Sequence, residues 1–170
     1  MLSFSDYRSR RPKLSLTQQC KLKREQGLSY IGMTGYFRPE RALKKPCTAQ
    51  CIHKCTINFS MEERKKLHEQ FWKFTEFEKR KFFTKHVERI AKKRQYVKAA
   101  SRRTYTYVYY FHLLCKRLQV CKIFFLNTLD ICSSKIYLYF EKFHDEATGH
   151  PKPMEEVKRK CKSVCKKVIK

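Results

Sequence analysis

Two capping boxes near the middle of the chain constrain its fold more than any other feature. In "SMEE" Ser60 and Glu63 can satisfy each other's backbone amides, and in "TEFE" Thr75 and Glu78 repeat the arrangement. Each box predicts the first turn of a helix. Apolar residues follow at one-turn spacing, Leu67, Phe71 and Phe74 after the first box and Phe83, Val87 and Ile90 after the second. The pattern predicts two consecutive amphipathic helices with a short joint.

The next region has strand-like composition. Aromatic and β-branched residues dominate "YTYVYYFHL", which begins at Tyr105, and a second apolar run, "LQVCK", begins at Leu118. This order predicts a β-hairpin whose connection is formed by residues 115–117.

Helical spacing returns in residues 121–143, "CKIFFLNTLDICSSKIYLYFEKF". We expect two short helices separated by a break at residues 130–132, with Ser133 or Ser134 capping the second. Their apolar stripes are Phe125, Leu126 and Leu129 in one helix and Ile136, Phe140 and Phe143 in the other. The expected fold class is therefore mainly α with a β-hairpin, a small α+β fold made of a helix pair, a hairpin and a helix-turn-helix-like unit.

The positions of glycine and proline divide the chain into three parts. Residues 1–45 are basic and hold three of the four glycines, which predicts a weakly ordered arm. Residues 46–144 are expected to form the folded, cysteine-containing domain. Residues 145–170, with Gly149, Pro151 and Pro153 followed by "VKRKCKSVCKK", are expected to be a basic tail.

The charge balance points to a polyanionic partner. Forty Lys and Arg residues stand against 15 Asp and Glu residues, a formal net charge of +25. Nucleic acid is the expected partner, DNA first and RNA as a possible second, because phosphate neutralisation releases condensed counterions. No apolar run is long enough for a signal peptide core or a membrane span. We therefore expect a nuclear or cytoplasmic protein that is not secreted, contacts no membrane and takes no small-molecule substrate.

A run of cysteines precedes the first capping box. "PCTAQCIHKC", residues 46–55, places Cys47, Cys51 and Cys55 at C-x3-C-x3-C spacing, three of the four ligands that a structural zinc requires. The fourth ligand has to come from elsewhere, and the candidates are His53, His86 and Cys121. The alternative is that these cysteines are buried, reduced packing residues, since C-x3-C spacing is less diagnostic than paired C-x2-C knuckles.

The helix-turn-helix-like unit and the basic segments supply candidate nucleic-acid contacts. In such a unit the start of the second helix enters the major groove, which selects Ser134, Lys135 and Tyr137. The hairpin connection would place Lys116 and Arg117 against backbone phosphate. The basic stretch of residues 92–103 adds Lys92, Lys93, Arg94, Arg102 and Arg103 as a phosphate track or a nuclear-import signal. The alternatives are an ordinary pair of packing helices and a solvated linker.

Signals for catalysis are weak. The chain has only three aspartates, Asp6, Asp130 and Asp145, and they fall in a tail, a turn and a helix end. A carboxylate cluster for two-metal chemistry is hard to build from them. No glycine-rich phosphate loop, HExxH or nucleophile elbow is present, so we expect no enzymatic activity.

Five sequence strings in residues 27–143 carry a family resemblance. They are "RALKKPCTAQCIHKC", "FW" at Phe71 and Trp72, "RKFFTKHV", "SRRTYTYVYY" and, most specifically, "VCKIFFLNTLDI". With these strings the chain resembles a large family of proteins from insect and other arthropod genomes that look transposon-derived. In that family the module precedes a region that looks like a transposase-type nuclease of the ribonuclease H fold. The resemblance matches Cys47, Cys51, Cys55 and Cys121 to the family's recurring cysteines, and so implies Cys121 rather than His53 as fourth ligand.

The chain departs from that family in two ways. No nuclease-like region follows the module, so we expect no strand-transfer activity. Cys132 and the apolar "LLC" at the hairpin turn also replace residues that are more polar in the family. These features suggest a truncated copy that serves as a DNA-binding protein. The alternatives are a protein-protein interaction module and a transposon-derived product without a selected function.

Overall fold

The structure is a computed structural model that describes residues 14–91, 105–113, 116–145 and 149–150. Within these ranges the chain forms six helices and two small antiparallel sheets, a small α+β fold that confirms the expected class. The chain divides into two compact units, residues 1–41 and residues 42–170. None of the described helices combines the length and the apolar character needed to cross a bilayer.

The first unit contains a capped helix and a short hairpin. Helix α1, Leu16–Gln26, begins at Ser15, which forms a capping box with Gln18, and ends at Gly27 in the left-handed conformation (φ 75°). Strands β1, Tyr30–Ile31, and β2, Phe37–Arg38, pair antiparallel. Regular structure over residues 14–41 differs from the weakly ordered arm expected there. The helix lacks the apolar stripe that marks most helices, and none of its residues is buried.

The second unit begins at Ala42, four residues before the expected boundary at Pro46. Backbone hydrogen bonds explain the earlier start. The Ala42 N–H donates to the Asp130 carboxylate at 3.3 Å, and the Lys44 N–H donates to the Asn127 carbonyl at 3.1 Å. Residues 42–45 therefore belong to the folded domain. Most of the expected C-terminal tail, residues 146–148 and 151–170, lies outside the described residues.

Three helices follow the cysteine run, and both capping boxes are confirmed. They are α2, Cys55–Asn58, α3, Met61–Lys73, and α4, Glu76–His86. Ser60 and Glu63 cap α3, and Thr75 and Glu78 cap α4, each through reciprocal hydrogen bonds.

Helix α4 ends earlier than its apolar spacing predicted. Residues Val87–Ala91 form strand β3, so the prediction that Val87 and Ile90 continue the helical stripe is wrong. Both residues are β-branched and suit a strand, and they pair with Tyr109 and Thr106 of the next strand. Val87 is consequently buried, while Ile90 is exposed.

The expected hairpin is confirmed and forms part of a three-stranded sheet. Strands β4, Tyr105–Leu113, and β5, Lys116–Val120, pair antiparallel, and β3 lies on the other side of β4. Lys116 and Arg117 were expected in the connection, but they are the first residues of β5, opposite Leu113 and His112. Only residues 114–115 separate the two strands, and they lie outside the described residues.

The last two helices of the described residues are α5, Lys122–Leu129, and α6, Ser133–Lys142, with the expected break at residues 130–132. Asp130 adopts the left-handed conformation (φ 48°) and ends α5. The expected serine cap is wrong, because Cys132 occupies the N-cap position without a side-chain bond and Ser133 is already helical.

The core of the second unit is built from aromatic side chains. Phe111 of β4 stacks on Phe125 of α5 with ring centroids 4.9 Å apart, and both are fully buried. Phe71 of α3 and Phe83 of α4 extend the cluster. The expected stripes supply seven of the sixteen buried apolar residues, and the sheet, α3 and α4 meet around α5.

Candidate metal centre

Local turns in the cysteine run bring three thiols together. The Cys51 N–H donates to the Thr48 carbonyl, and the Lys54 N–H donates to the Cys51 carbonyl, which folds the run into two successive turns. Lys54 takes the left-handed conformation (φ 47°), and Cys55 begins α2 directly after it. Cys121 joins them from the N-cap of α5, immediately after β5.

The four sulfur atoms form one cluster. The Sγ atoms of Cys47, Cys51, Cys55 and Cys121 all lie within 4.8 Å of one another. The Cys51 and Cys55 Sγ atoms are 3.7 Å apart, and none of the four cysteines forms a disulfide. A tetrahedral metal ion with metal–sulfur bonds of about 2.3 Å would separate its sulfur ligands by about 3.8 Å. The Cys51–Cys55 separation matches this value and the other separations are at most 4.8 Å, so the cluster is compatible with a metal site.

Backbone amides point at the cluster. The Cys121 N–H donates to Cys55 Sγ, and the Phe124 N–H donates to Cys121 Sγ, each at 3.3 Å. The His53 N–H donates to Cys51 Sγ and lowers the pKa of that thiol to about 7. Amide donors stabilise the thiolate form, which is the form that binds a metal ion.

Two of the thiols resist ionisation when no cation is present. Burial raises the pKa of Cys47 to about 11, and the hydrogen bonds that its protonated thiol donates to Cys51 and Cys121 act in the same direction. Burial also raises the pKa of Cys55 well above its ordinary value. Four neighbouring thiolates repel one another, so a metal ion would supply the positive charge that allows all four to ionise.

A buried arginine lies beside the cluster. Arg64 of α3 is 2% exposed, and its Nε donates to Thr128 Oγ1 at 3.1 Å while an Nη donates to the Lys44 carbonyl at 2.9 Å. Its guanidinium carbon lies 4.9 Å from the ring centre of Phe124. Burial lowers the pKa of Arg64, and the charge of Cys47 opposes this.

The capping boxes and apolar stripes of α3 and α4 did not by themselves indicate that an arginine would be buried. A signal was nevertheless present in the spacing. Arg64 precedes Leu67 by three positions and Phe71 by seven, so it lies on the apolar stripe of α3.

The other candidate ligands lie apart from this cluster. His53 contributes its backbone, which donates to Cys51 Sγ and accepts from the Asn58 side chain at 3.2 Å. His86 stacks on Phe82, and its Nε2 lies 3.2 Å from His112 Nδ1 on β4. Cys121 is therefore the fourth member of the cluster.

The expected nucleic-acid contacts are described only in part. Lys92, Lys93, Arg94, Arg102 and Arg103 lie outside the described residues. Lys116 is exposed at the start of β5. Arg117 binds Glu88 of β3 at 2.6 Å, and its guanidinium carbon lies 3.8 Å from the ring centre of Tyr110.

The start of α6 presents a mixed surface. Ser134 and Tyr137 are exposed, and Tyr137 accepts a hydrogen bond from Lys122 Nζ at 3.3 Å. Lys135 Nζ lies 3.8 Å from a Glu76 carboxylate oxygen at the start of α4.

The sheet separates Arg117 from α6. Tyr137 and Phe140 pack on Tyr107, which shares the inner face of the sheet with Tyr109. Arg117 pairs with His112 and contacts Tyr110 on the outer face. The helix and Arg117 thus lie on opposite faces, whereas a wing and a recognition helix would share one surface.

A basic corner, which the sequence did not indicate, lies beside the outer face. Lys85 at the end of α4 and Arg117 of β5 both lie near the half-buried His112. Burial lowers the pKa of His112, and the positive charges of Lys85 and Arg117 lower it further. Lys81, one turn before Lys85, is exposed on the same side of α4. We call Lys81, Lys85, His112 and Arg117 the basic corner. Only the tertiary structure brings these residues together.

Comparison of the chain with protein-family models, curated proteins and solved structures finds no match. Its function is therefore inferred from its own residues.

Proposed function

We propose that this chain is a non-catalytic nucleic-acid-binding protein, with DNA as its first partner, whose folded domain is held together by a structural zinc ion. Descent from the N-terminal module of a transposon-encoded protein is part of the proposal, supported by the sequence strings quoted above. A nuclear location follows from a DNA partner.

Exposed positive charge is the observation that carries the proposal. Among the described residues, no carboxylate forms an ion pair with a set of exposed lysines on α3, α4 and β5, namely Lys65, Lys66, Lys73, Lys81, Lys85 and Lys116. Together with the net charge of +25, this leaves cationic side chains available to a polyanion. Phosphate contacts of this kind supply affinity, while base contacts supply specificity.

Zinc is the metal that the donor set favours. Four thiolates in tetrahedral spacing are typical of structural zinc, because soft sulfur ligands and this geometry suit Zn²⁺. Zinc bound here would supply a fixed link between the cysteine run and the junction of β5 with α5. With all four ligands from the protein, the centre has no open position for a water molecule or a substrate.

The contacts of Asp130, an acidic residue that meets the segment before the cysteine run, do not suggest catalysis. Asp130 binds Lys44 Nζ at 2.6 Å and accepts the Ala42 N–H, so it organises the segment before the cysteine run. We therefore assign the centre a structural role only.

The test is the dependence of binding on salt. Fluorescence anisotropy of a labelled 20-base-pair duplex, a single strand and an RNA hairpin should give a dissociation constant for each at several salt concentrations. We expect duplex affinity to fall steeply, by about 10³-fold between 50 and 200 mM salt if about six phosphates are contacted. Absence of binding at 50 mM salt, or binding insensitive to salt, would contradict the proposal.

One observation favours a protein-interaction module as a second candidate. The β1–β2 hairpin exposes about two-thirds of each of four apolar side chains, Ile31, Met33, Tyr36 and Phe37. Exposed apolar clusters of this kind often mark protein contact sites. This second function would be favoured if the parent retained a protein partner that the variant Ile31→Ser/Phe37→Ser lost. It would also require a DNA affinity of the parent that depends only weakly on salt.

A further inference from the structure

The electrostatics of the proposed zinc centre require positive charge close by. Four thiolates and one Zn²⁺ together carry two negative charges. When zinc displaces the thiol protons, those protons leave to solvent and the charge remains on the centre, in which Cys55 is buried and the other three cysteines are half-buried. Removing uncompensated charge from water is strongly unfavourable, so a metal-loaded centre gains from a neighbouring cation.

Arg64 is the buried cation that meets this need. Its two closest hydrogen-bond acceptors are neutral, the Thr128 hydroxyl and the Lys44 carbonyl, and its remaining described hydrogen bond is to Met61 Sδ at 3.6 Å. Within the ranges that the structure describes, no carboxylate forms an ion pair with it. A guanidinium in this position has lost its water without gaining a carboxylate, an arrangement that is strongly unfavourable alone.

Arg64 contacts two chain segments that carry ligands of the centre. It binds the Lys44 carbonyl, three residues before Cys47, and it stacks on Phe124, whose N–H donates to Cys121 Sγ. The same side chain thus contacts the segments that carry the first and last ligands.

Lys79 is a second buried cation in this fold and serves as a comparison. Lys79 is 1% exposed, but its Nζ lies 3.8 Å from a Glu76 carboxylate oxygen and 4.6 Å from the ring centre of Trp72. It belongs to α4, away from the cysteine cluster. Lys79 therefore has a conventional ion pair, whereas Arg64 has the sulfur cluster as its neighbour.

We propose that Arg64 is the counter-cation of the metal–tetrathiolate centre, a positioning residue that stabilises the metal-loaded protein more than the metal-free protein. The inference rests on the proposed zinc centre. It assigns the arginine a role in metal affinity, beyond its packing against Phe124 and Thr128.

The experiment separates charge from hydrogen bonding. Arg64→Lys keeps the charge with a different donor geometry, and Arg64→Gln keeps a donor amide without the charge. Zinc affinity of the full chain is measured by competition with a chromophoric chelator, and unfolding by urea is followed with and without zinc. Lys79→Met is the matched control, a buried cation removed at a distance from the centre.

We expect Arg64→Gln to weaken zinc binding at least about tenfold, and the zinc affinity of Arg64→Lys to stay within about threefold of the parent. Lys79→Met should match the parent's zinc affinity, but it should be less stable than the parent both with and without zinc. The sulfur-to-cobalt charge-transfer band of the Co²⁺-loaded protein should also shift in Arg64→Gln and not in Lys79→Met.

Equal zinc affinity of the parent and Arg64→Gln, or a weaker affinity in Arg64→Lys than in Arg64→Gln, would overturn the role of charge and leave the zinc centre standing. A parent that binds no zinc would overturn both this inference and the zinc part of the proposed function.

Discussion

Cys55 and Cys121 are 66 residues apart in the chain, and the backbone N–H of Cys121 donates a hydrogen bond to Cys55 Sγ at 3.3 Å. Cys55 begins α2, while Cys121 caps α5. This hydrogen bond thus connects the cysteine run to the junction of β5 and α5. A metal ion at this point would close a long loop and hold both segments in place.

The helix caps allow a direct stability test. Ser60→Ala removes the hydroxyl that accepts the Glu63 N–H, and we expect a loss of about 1 kcal/mol in the free energy of unfolding. Ser134→Ala is the matched control, because Ser134 is exposed within the first turn of α6 and Cys132 holds the N-cap position. Urea denaturation of both variants should show this difference. A cost at Ser134 equal to that at Ser60 would contradict the assigned start of α6.

The capping boxes also show how far local sequence predicts this fold. Ser60 and Thr75 begin helices through contacts within four residues, so both helices were predictable. Val87 and Ile90 fit helical spacing as well as a strand, and only pairing with β4 decides between them. Helix α1 had a local signal in Ser15, Gln18 and Gly27, but no apolar stripe to draw attention to it.

The candidate site was predictable in part. The spacing of Cys47, Cys51 and Cys55 predicted a common site, and the family resemblance implied Cys121. Arg64 and the basic corner were missed because each depends on contacts between segments that are 20 or more residues apart in sequence. Arg64, for example, binds Lys44 and Thr128.

His86 should make stability depend on pH. Burial lowers the pKa of its imidazole to about 4, helped by the positive charges of His112, Lys85 and Arg117 and opposed by the Phe82 carbonyl. The unfolded chain, with a histidine pKa near 6.5, therefore takes up this proton first as the pH falls. The contribution of neutral His86 to the free energy of unfolding is fully present above about pH 6.5 and is lost as the pH falls towards 4. At pH 5 the loss is on the order of 2 kcal/mol.

The measurement compares the parent with His86→Gln by urea denaturation at pH 7 and pH 5. The difference between the two proteins cancels the pH dependence of the thiols and of the other histidines. The parent should lose more stability than the variant on acidification. Parallel pH profiles would show that His86 is not buried in its neutral form.

The basic corner should contribute more to DNA binding than equal charge elsewhere. Lys81→Ala/Lys85→Ala removes two exposed cations beside Arg117 and His112. Lys65→Ala/Lys66→Ala removes the same charge from α3 and is the matched control. We expect the first variant to lose about tenfold in affinity and to reduce the slope of log affinity against log salt by about two. Equal losses in both variants would mean that net charge alone determines binding.

In the proposed structure of the centre, one zinc ion joins Cys47, Cys51 and Cys55 to Cys121. The most direct test of this arrangement is the zinc content of protein purified without added metal, measured for the parent, Cys55→Ser, Cys121→Ser and the exposed-cysteine control Cys132→Ser. We expect one zinc per chain in the parent and in Cys132→Ser, and none in Cys55→Ser or Cys121→Ser. A parent without zinc, or zinc retained by both Cys55→Ser and Cys121→Ser, would contradict this arrangement.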